Sequence, residues 1–424
     1  MSLKKVFVLT LGCPKNEVDS LIMKRHLELC GFSVVDEPDD ADVVVVNTCG
    51  FIEDAKRESI DAVISAVDSG KEVVVAGCLY QRYGDELAEL FPEVKGFVSL
   101  SHIRELPRYL GMDGFRLPCG VPALPRASDF EGVNLNSLWV YVKIAEGCSN
   151  RCGYCAIPLI RGSYRSRSLD DVVEEVSSWI EKGVKEINLI SQDTAFYGRD
   201  LSNGSGLLEL LERIEALEGD FRVRMLYMHP AHFTSDIARF IANSDKCIPY
   251  VEIPLQHVSE RVLRLMKRKG AKEAVMRAVS LCEEYGLFLR TTFLVGHPGE
   301  GEDDFSELVD FVEALRPWRA CVFGYSAEEG TASFELEQLD KEVVLDRVNV
   351  LTEILDRIMF ERSAELAGKS CEALLEGETG RLLVQAPEVD GVFTLKGESF
   401  EGLCRVIVDE AKGVDFEGRL CRSS

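Results

Sequence analysis

Three cysteines in a C-x3-C-x2-C array constrain this chain more than any other feature of its sequence. Cys148, Cys152 and Cys155 lie in one short loop, directly after the apolar run of residues 139–145. Spacings this short let a single loop direct three thiolates at one point, and thiolates hold iron–sulfur clusters. With one cysteine per iron, three cysteines on a four-iron cube leave one iron without a protein ligand. A structural zinc site is the alternative, but it needs four protein ligands and commonly pairs two C-x2-C halves. No second half lies nearby.

The composition is that of a soluble globular protein, with 46% apolar and 28% charged residues in a chain of 424. This length allows two or three domains with substantial cores. We expect no membrane-spanning segment, because no apolar run has the required length, and no signal peptide, because residues 1–5 lead directly into a strand-like run. A cytoplasmic location follows. In that reducing compartment the 14 cysteines are metal ligands, catalytic thiols or core residues before they are disulfides.

The charge is strongly acidic, since 72 acidic residues outnumber 48 basic ones and give a formal net charge of −24. Such a field repels the phosphates of nucleic acids unless a local basic patch overrides it. It attracts a basic protein, so the overall charge favours that kind of partner.

The first 120 residues alternate short β-branched runs with amphipathic helices, the pattern of a doubly wound parallel α/β sheet. Strands are predicted at 6–11, 43–46 and 73–76, and helices at 17–29 and 53–67. A cysteine follows each strand: Cys13, Cys49 and Cys78. The carboxyl ends of the strands line the ligand crevice of an open α/β sheet, so these cysteines should meet at one mouth. One such cysteine alone would be a small buried residue in a tight turn; three repetitions predict a second three-cysteine site.

A second repeating unit occupies residues 137–360, after a linker at 121–136. Its strands are predicted at 140–145, 186–191, 222–227, 250–254, 288–295 and 320–325. Its helices are predicted near 169–182, 205–217, 234–242, 259–285 (interrupted at Gly270), 302–315 and 340–366. Six β/α units predict a partial (β/α)6 barrel whose site lies at the carboxyl ends of the strands. The Cys148 array follows the first of these strands.

Residues 361–424 change character and predict a small antiparallel β-barrel. Short strand-like runs at 382–384, 392–395 and 404–408 are separated by glycine-rich turns. This region has 13 acidic and 8 basic residues, a net charge of −5. Its acids, among them Glu376, Glu378, Glu388 and Asp390, are expected to face a basic protein partner.

Polar residues near the predicted strand ends give further candidates for the site. Arg161, Arg165 and Arg167 either hold an anionic group or form a solvated basic loop, and the sequence does not separate these readings. Gln192 ends the second barrel strand, where its position favours a ligand contact. Gly296 ends the fifth strand, where a glycine lets the backbone approach a bound cofactor.

Histidines form a weaker candidate at the same mouth. His229, His232 and His257 all fall at predicted strand ends. A zinc site from His229 and His232 is conceivable, but ordinary polar residues at the mouth are the favoured interpretation.

The Cys148 array, with the aromatic Tyr154 before its last cysteine, resembles the signature of the radical S-adenosylmethionine (AdoMet) enzymes. The full length resembles the methylthiotransferases, radical AdoMet enzymes with two iron–sulfur clusters and a C-terminal TRAM barrel. The motifs that carry this resemblance are LGCPKNE at 11–17, NTCGFI at 47–52, AGC at 76–78 and RGSYRSR at 161–167.

The resemblance implies two [4Fe–4S] clusters. By that likeness Cys13, Cys49 and Cys78 hold an auxiliary cluster, and Cys148, Cys152 and Cys155 hold the cluster whose open iron binds AdoMet. The further candidates for cofactor binding are Tyr154, Gln192 and Gly296.

The family has two main substrate classes, a modified adenosine in tRNA and an aspartate side chain in small-subunit ribosomal protein twelve. The runs KNE at 15–17, SQDT at 191–194 and APEVDGV at 386–392 are similar to the second group. The acidic C-terminal region also suits a basic ribosomal protein better than RNA. We therefore expect a methylthiotransferase of that ribosomal protein, with flavodoxin or ferredoxin as electron donor. A tRNA methylthiotransferase is the alternative, and a non-enzymatic iron–sulfur or zinc scaffold is a remote one.

The chemistry that the resemblance implies requires a cofactor radical, because side-chain acids and bases cannot break an unactivated C–H bond. The reduced AdoMet-binding cluster would generate a 5′-deoxyadenosyl radical that takes hydrogen from the aspartate β-carbon. A methylthio group, assembled at the auxiliary cluster with the methyl of a second AdoMet, would then couple to that carbon. The protein would hold both open sites toward one shared, water-poor cavity.

Overall fold

A computed structural model describes residues 4–202 and 204–421 of the chain. Residues 1–3, on which the expectation about the amino terminus partly rests, lie outside the described residues. None of the helices in the described part is both long and apolar enough to cross a membrane.

The N-terminal unit is built on a six-stranded parallel sheet with strand order β2-β1-β3-β4-β5-β6. Its strands are β1 (Lys5–Thr10), β2 (Ser33–Val35), β3 (Val43–Thr48), β4 (Glu72–Gly77), β5 (Gly96–Val98) and β6 (Phe115–Arg116). Its helices are α1 (Pro14–Leu29), α2 (Glu53–Asp68), α3 (Cys78–Tyr83), α4 (Asp85–Leu90) and α5 (Leu106–Tyr109). Every residue of β3 is buried, because alternate valines face two different cores: Val43 and Val45 one, Val44 and Val46 the other. This is the double-sided burial of a doubly wound sheet.

The central unit is a six-stranded parallel sheet with order β7-β10-β11-β12-β13-β14. These strands are β7 (Trp139–Lys143), β10 (Glu186–Ile190), β11 (Arg222–Met225), β12 (Cys247–Glu252), β13 (Phe288–Val295) and β14 (Arg319–Gly324). A two-stranded antiparallel ribbon, β8 (Ala145–Glu146) and β9 (Arg165–Ser166), follows β7. The helices are α6 (Ile157–Arg161), α7 (Leu169–Glu181), α8 (Leu207–Glu215), α9 (Ser235–Asn243), α10 (Glu260–Leu265), α11 (Ala271–Glu284), α12 (Glu302–Leu315) and α13 (Lys341–Ala364). The predicted partial barrel is confirmed, and the predicted interruption at Gly270 separates α10 from α11 with a φ of 78°.

The C-terminal unit is a closed five-stranded barrel with order β15-β16-β17-β19-β18. Its strands are β15 (Ser370–Gly377), β16 (Thr379–Leu382), β17 (Phe393–Leu395), β18 (Phe400–Lys412) and β19 (Asp415–Leu420). The pairs are antiparallel except for β17 with β19, which is parallel. The predicted small barrel is thus confirmed, with one parallel pair that the sequence did not indicate. The residue boundaries proposed between the three units stay a prediction.

The C-terminal barrel is attached to the central sheet through residues 383–391, which we call the docking segment. Arg224 of β11 donates a hydrogen bond of 2.7 Å to the carbonyl of Leu383. Tyr250 of β12 donates one of 2.6 Å to Asp390, which also pairs with Arg290 of β13. These side chains belong to the strands themselves. The carboxyl ends of the central strands therefore remain available for the site.

Candidate functional site

The first cysteine triad stands at the carboxyl ends of three strands of the N-terminal sheet. Cys13 follows β1 and precedes α1, Cys49 follows β3, and Cys78 follows β4 as the first residue of α3. Ser59 of α2 fixes the backbone of Cys49, because its hydroxyl accepts from the amide at 2.9 Å and donates to the carbonyl at 3.0 Å. The structure thus brings together three cysteines that are far apart in the sequence, as predicted.

Close packing of the turns explains why glycines flank these cysteines. A Cβ on Gly12 would lie 2.9 Å from Cβ of Cys49, and the φ of Gly12 is 98°. A Cβ on Gly50 would lie 2.9 Å from the carbonyl oxygen of Cys78. Any larger residue would push the three strand ends apart.

The second triad lies on the loop between β8 and β9. This ribbon closes the base of the loop: a Cβ on Gly147 would lie 2.3 Å from the carbonyl oxygen of Ser163, and the amide of Cys148 donates to the carbonyl of Gly162 at 3.0 Å. The amide of Cys155 donates to the carbonyl of Cys152 at 3.1 Å, which forms a tight turn. Residues from farther along the chain complete the loop, because the amide of Gly153 donates to the carbonyl of Met266 at 2.8 Å and its carbonyl accepts from the amide of Ser333 at 2.8 Å.

Both triads line one cavity of about 380 Å³, a size usual for a small-molecule site. The six cysteines share its wall with residues from the carboxyl ends of the central strands, among them Gln192, Tyr227, Gln256 and Tyr325. Tyr227 and Gln256 have φ values of 62° and 72°, in the left-handed region that non-glycine residues rarely adopt. Such backbone strain is commonly found at functional sites.

Burial raises the pKa of thiols in both triads. Burial raises the pKa of Cys49 to about 12, and the neighbouring Cys78 and Cys13 add to this shift. Burial also raises the pKa of Cys78 to about 11, although Arg161 opposes it, and that of Cys148 to about 11. Without a metal these thiols keep their protons; a bound cation would replace the protons and take thiolates as ligands.

No three histidine, cysteine or carboxylate side chains among residues 4–202 and 204–421 converge closely enough to hold a single ion. A cluster attaches its cysteines to different iron atoms and does not require that convergence. The zinc site considered at the histidines finds no support, because no group of three potential ligands forms there among the described residues. His232 hydrogen-bonds Asp193 at 2.6 Å, and Nδ1 of His229 accepts from the amide of Ala231 at 3.1 Å.

A buried network of four charges lies between the triads. Arg161, the last residue of α6, donates to both carboxylate oxygens of Glu146 at 3.1 and 3.0 Å, and to Asp19 of α1 at 2.9 Å. Lys143 contacts the same carboxylates, at 2.5 Å from Asp19 and 2.8 Å from Glu146. Burial alone would raise the pKa of Glu146, but Arg161 and Lys143 hold it at about 2. Arg161 also donates to Sγ of Cys78 at 3.2 Å, so the network touches the first triad.

Two of the three predicted cofactor-binding residues line the cavity. Tyr154 does so, and its hydroxyl accepts a hydrogen bond of 2.9 Å from Arg268. Gln192 donates to Glu146 at 2.9 Å, which leaves its Oε1 buried without a partner. Nε2 of His229 is also buried without a partner in the cavity wall. An acceptor and a donor left free in this way fit a ligand with polar groups, such as AdoMet.

Gly296 does not line the cavity. A Cβ on this residue would lie 2.5 Å from the side chain of Val344 on α13, so the glycine is required by helix packing. Its amide donates to Glu300 at 2.8 Å. A role in cofactor binding stays a prediction for this residue.

The basic loop of the sequence is neither a solvated loop nor a free anion site. Arg161 and Arg167 are buried, and Arg167 pairs with Glu175 at 2.5 Å and with Asp171 at 2.7 Å. Arg165 donates to the carbonyl of Pro122 at 2.6 Å. Arg161 lines the cavity with its charge already paired, whereas Arg165 and Arg167 support the fold around the site.

The cavity wall also contains Lys15 and Asn16, two polar residues for which the sequence predicted no individual role. Lys15 lies two residues after Cys13 and lines the wall, and burial lowers its pKa to about 8. Asn16 anchors the turn, donating to the carbonyls of Leu11 and Thr48 at 2.8 and 3.1 Å. One sequence signal could have indicated buried charges near the cavity: Lys143 is a charged residue inside an otherwise apolar strand run.

Two family models match the chain, the Radical SAM superfamily over residues 142–312 and Uncharacterized protein family UPF0004 over residues 5–99. The first match begins in β7, includes the three-cysteine loop and ends in α12. The fold and the site define a radical AdoMet enzyme, which depends on AdoMet and an iron–sulfur cluster.

Similarity to curated proteins then gives the particular family. A protein of Sorangium cellulosum (strain So ce56), named ribosomal protein uS12 methylthiotransferase RimO, is 42% identical over 99% of this chain and 91% of its own length. A protein of the same name from Aquifex aeolicus (strain VF5) is 40% identical over 98% of this chain and 97% of its own length. The chain belongs to the RimO methylthiotransferase family.

Solved structures share the fold at low sequence identity. The radical AdoMet methyltransferase TsrM from Kitasatospora setae matches with a TM-score of 0.56 and 18% identity, over 78% of this chain and 74% of that one. The cobalamin-dependent radical enzyme OxsB matches with a TM-score of 0.52 and 14% identity, over 84% of this chain and 56% of that one.

Proposed function

We propose that this protein adds a methylthio group to the β-carbon of an aspartate in ribosomal protein uS12. The names of its relatives support the substrate class, and so does its charge. Ribosomal proteins carry many basic residues to bind RNA, whereas this chain has a net charge of −24. An acidic enzyme attracts such a partner and repels free tRNA.

We further propose two [4Fe–4S] clusters, one on Cys13, Cys49 and Cys78 and one on Cys148, Cys152 and Cys155. The observation that carries the proposal is that all six cysteines line one cavity although they come from two different sheets. When bound, the clusters and AdoMet supply the radical that removes hydrogen from the β-carbon and the methylthio group that replaces it. Three protein ligands per cluster leave one iron of each open toward the same space.

The chain's own residues hold and shield the reactants. Apolar side chains such as Phe51, Ile157 and Leu294 line much of the cavity and limit the entry of water. The unpartnered Oε1 of Gln192 accepts a hydrogen bond, and the unpartnered Nε2 of His229 donates one because its Nδ1 is already an acceptor. These two atoms orient polar groups of AdoMet.

The proposed reaction takes place in the cytoplasm, where ribosomes are assembled and where thiols stay reduced. An electron must reach the AdoMet-binding cluster, and a small electron-transfer protein such as flavodoxin or ferredoxin is the proposed donor.

Anaerobic turnover tests this function. The reconstituted protein is incubated with AdoMet, a reductant and sulfide, and with either purified uS12 or bulk tRNA lacking the methylthio modification. Mass spectrometry should show a mass increase of one methylthio group in place of hydrogen on a uS12 aspartate, and no change in tRNA. Modification of tRNA with none on uS12 would overturn the substrate but leave the methylthiotransferase class standing.

A further inference from the structure

Lys15 is a buried cation whose ammonium has no hydrogen-bond or ion-pair partner in the described part of the chain. Only 6% of its surface is exposed, and its ammonium has neither a hydrogen-bond acceptor nor a carboxylate within 4.0 Å in the described part of the chain. Every other buried lysine and arginine there has an acceptor; Lys143, for example, contacts Asp19 and Glu146. An ammonium taken out of water without an anion is unfavourable, so such a residue calls for a ligand.

The surroundings hold this cation toward the cavity. Nζ of Lys15 lies 2.7 Å from the centre of the Tyr227 ring, an attractive cation–π contact. The ring is placed there by the left-handed backbone of Tyr227, with a φ of 62°. On the other side, Asn16 is fixed by hydrogen bonds to the carbonyls of Leu11 and Thr48, so the backbone next to Lys15 has little freedom.

The nearby protein carboxylates are engaged elsewhere. Glu252 lies 3.4 Å from Arg290 and accepts from the amide of Tyr227 at 3.3 Å. Glu146 is bound by Arg161 and Lys143. The positive charge of Lys15 is therefore left for an anionic group that enters the cavity.

We propose that Lys15 binds the side-chain carboxylate of the target aspartate, an inference that rests on the proposed function. The carboxylate is bonded directly to the carbon that reacts, so holding it fixes where that carbon lies. Lys15 stands two residues after Cys13 and shares the cavity wall with both triads. It would thus make the enzyme specific for an acidic side chain and serve as a positioning residue for the β-carbon.

The test is a double-mutant cycle on binding. Affinities of the anaerobically reconstituted protein for uS12, and for uS12 with the target aspartate replaced by asparagine, are measured for wild type, Lys15→Met and Lys15→Arg. The matched control is Lys24→Met, on the same helix α1 but outside the cavity wall. Iron content is measured for each variant to show that it is folded and loaded.

Wild type and the Lys24→Met control should bind the aspartate form about 10- to 100-fold more tightly than the asparagine form, as a charge-assisted hydrogen bond implies. Lys15→Met should bind both forms equally, and Lys15→Arg should keep part of the preference. A merely structural lysine would weaken both forms by the same factor and leave the preference intact.

Three results would overturn the inference. The first is a wild type that does not distinguish aspartate from asparagine, which needs no variant to observe. The second is a preference that persists in Lys15→Met. The third is an unchanged preference together with weaker AdoMet binding in equilibrium dialysis, which would assign Lys15 to the AdoMet carboxylate. Failure of the proposed function looks different, because wild type would then neither bind nor modify uS12.

Discussion

The guanidinium of Arg161 donates a hydrogen bond of 3.2 Å to Sγ of Cys78, and this contact joins the central unit to a cysteine of the N-terminal sheet. The same side chain holds Glu146 and Asp19. One residue therefore ties the segment after the loop triad to the strand triad. Its position in the cavity wall, next to Cys78, explains why the two sets of cysteines face one space.

Replacing Arg161 should therefore destabilise the protein strongly. In Arg161→Met the carboxylates of Asp19 and Glu146 share only Lys143, and removing one partner of a buried ion pair typically costs about 3–5 kcal/mol. Chemical denaturation under anaerobic conditions measures the change. Arg57→Met is the control, because Arg57 forms an exposed pair with Glu53 and should change stability by less than about 1 kcal/mol. Equal effects of the two substitutions would contradict this account of the network.

The long parallel strands could be predicted because strands buried on both faces consist of continuous apolar runs. The valines of β3 form a continuous apolar run, as a strand covered on both faces requires. Short strands such as β5 and β6 have no such run and depend on the neighbouring strands for their pairing. In the C-terminal barrel, Gly418 looks like a turn residue. It lies inside β19, where a Cβ would be 2.1 Å from the carbonyl oxygen of Ile407, so the position requires a glycine.

The parts of the site that have a characteristic residue spacing could be predicted from the sequence. The parts that depend on tertiary contacts could not. Cys148, Cys152 and Cys155 are visible as an array, and the strand-end cysteines are visible once the strands are placed. The lack of an ion-pair partner at Lys15 could not be foreseen, because it depends on which carboxylates are already paired with other cations.

Substituting one triad at a time should remove about half of the iron, since the proposal assigns one cluster to each. Alanine at Cys148, Cys152 and Cys155 should abolish AdoMet cleavage, whereas alanine at the strand-end triad should leave part of it. Iron and sulfide analysis and the yield of 5′-deoxyadenosine measure both effects.

The control for this experiment replaces Cys30, Cys119 and Cys421, which are exposed and outside the cavity wall. That variant should keep its full iron content. Loss of all iron from either folded triad variant would show that the sites are not independent.

Stability should depend on pH through Glu17. Burial raises the pKa of Glu17 to about 8, and the charge of Glu388 and a hydrogen bond to it add to the shift. The folded state therefore holds a proton that the unfolded chain releases near pH 4.5, and the stabilisation is lost as pH rises toward 8. Glu17→Gln should gain stability relative to wild type between pH 5 and pH 8.5, measured by urea denaturation. All other titrating groups are common to both proteins, so an equal difference at the two pH values would refute the shift.

Binding of a basic partner should depend on exposed acids of the C-terminal barrel. The expectation that Asp390 faces a partner is wrong, because Asp390 is buried against Tyr250 and Arg290. Glu388 is exposed, but one of its oxygens already accepts a hydrogen bond of 3.0 Å from Tyr141. Glu376 likewise accepts from the amide of Leu138 at 2.7 Å.

The acids best suited to this role are Glu378, Glu398 and Glu401, whose carboxylates form no ion pair or hydrogen bond in the described part of the chain. Changing all three to lysine should weaken uS12 binding and reduce its dependence on salt. The control makes the same charge change at Glu58, Asp61 and Asp68 of α2. If both triple variants lost affinity equally, overall charge and not the barrel would recruit the partner. Tighter tRNA binding by the barrel variant alone would follow from added phosphate contacts.

The two triads differ in what must exist before each can be formed. The loop triad lies on one short segment between β8 and β9, although Gly153 also bonds to Met266 and Ser333. The strand-end triad needs β1, β3 and β4 already paired and packed at their glycines. Closing a short loop costs little entropy, while joining distant strand ends waits for the whole sheet. Under the proposal of one cluster per triad, the loop cysteines should capture iron first, and the strand-end cysteines should do so only after the N-terminal sheet has folded.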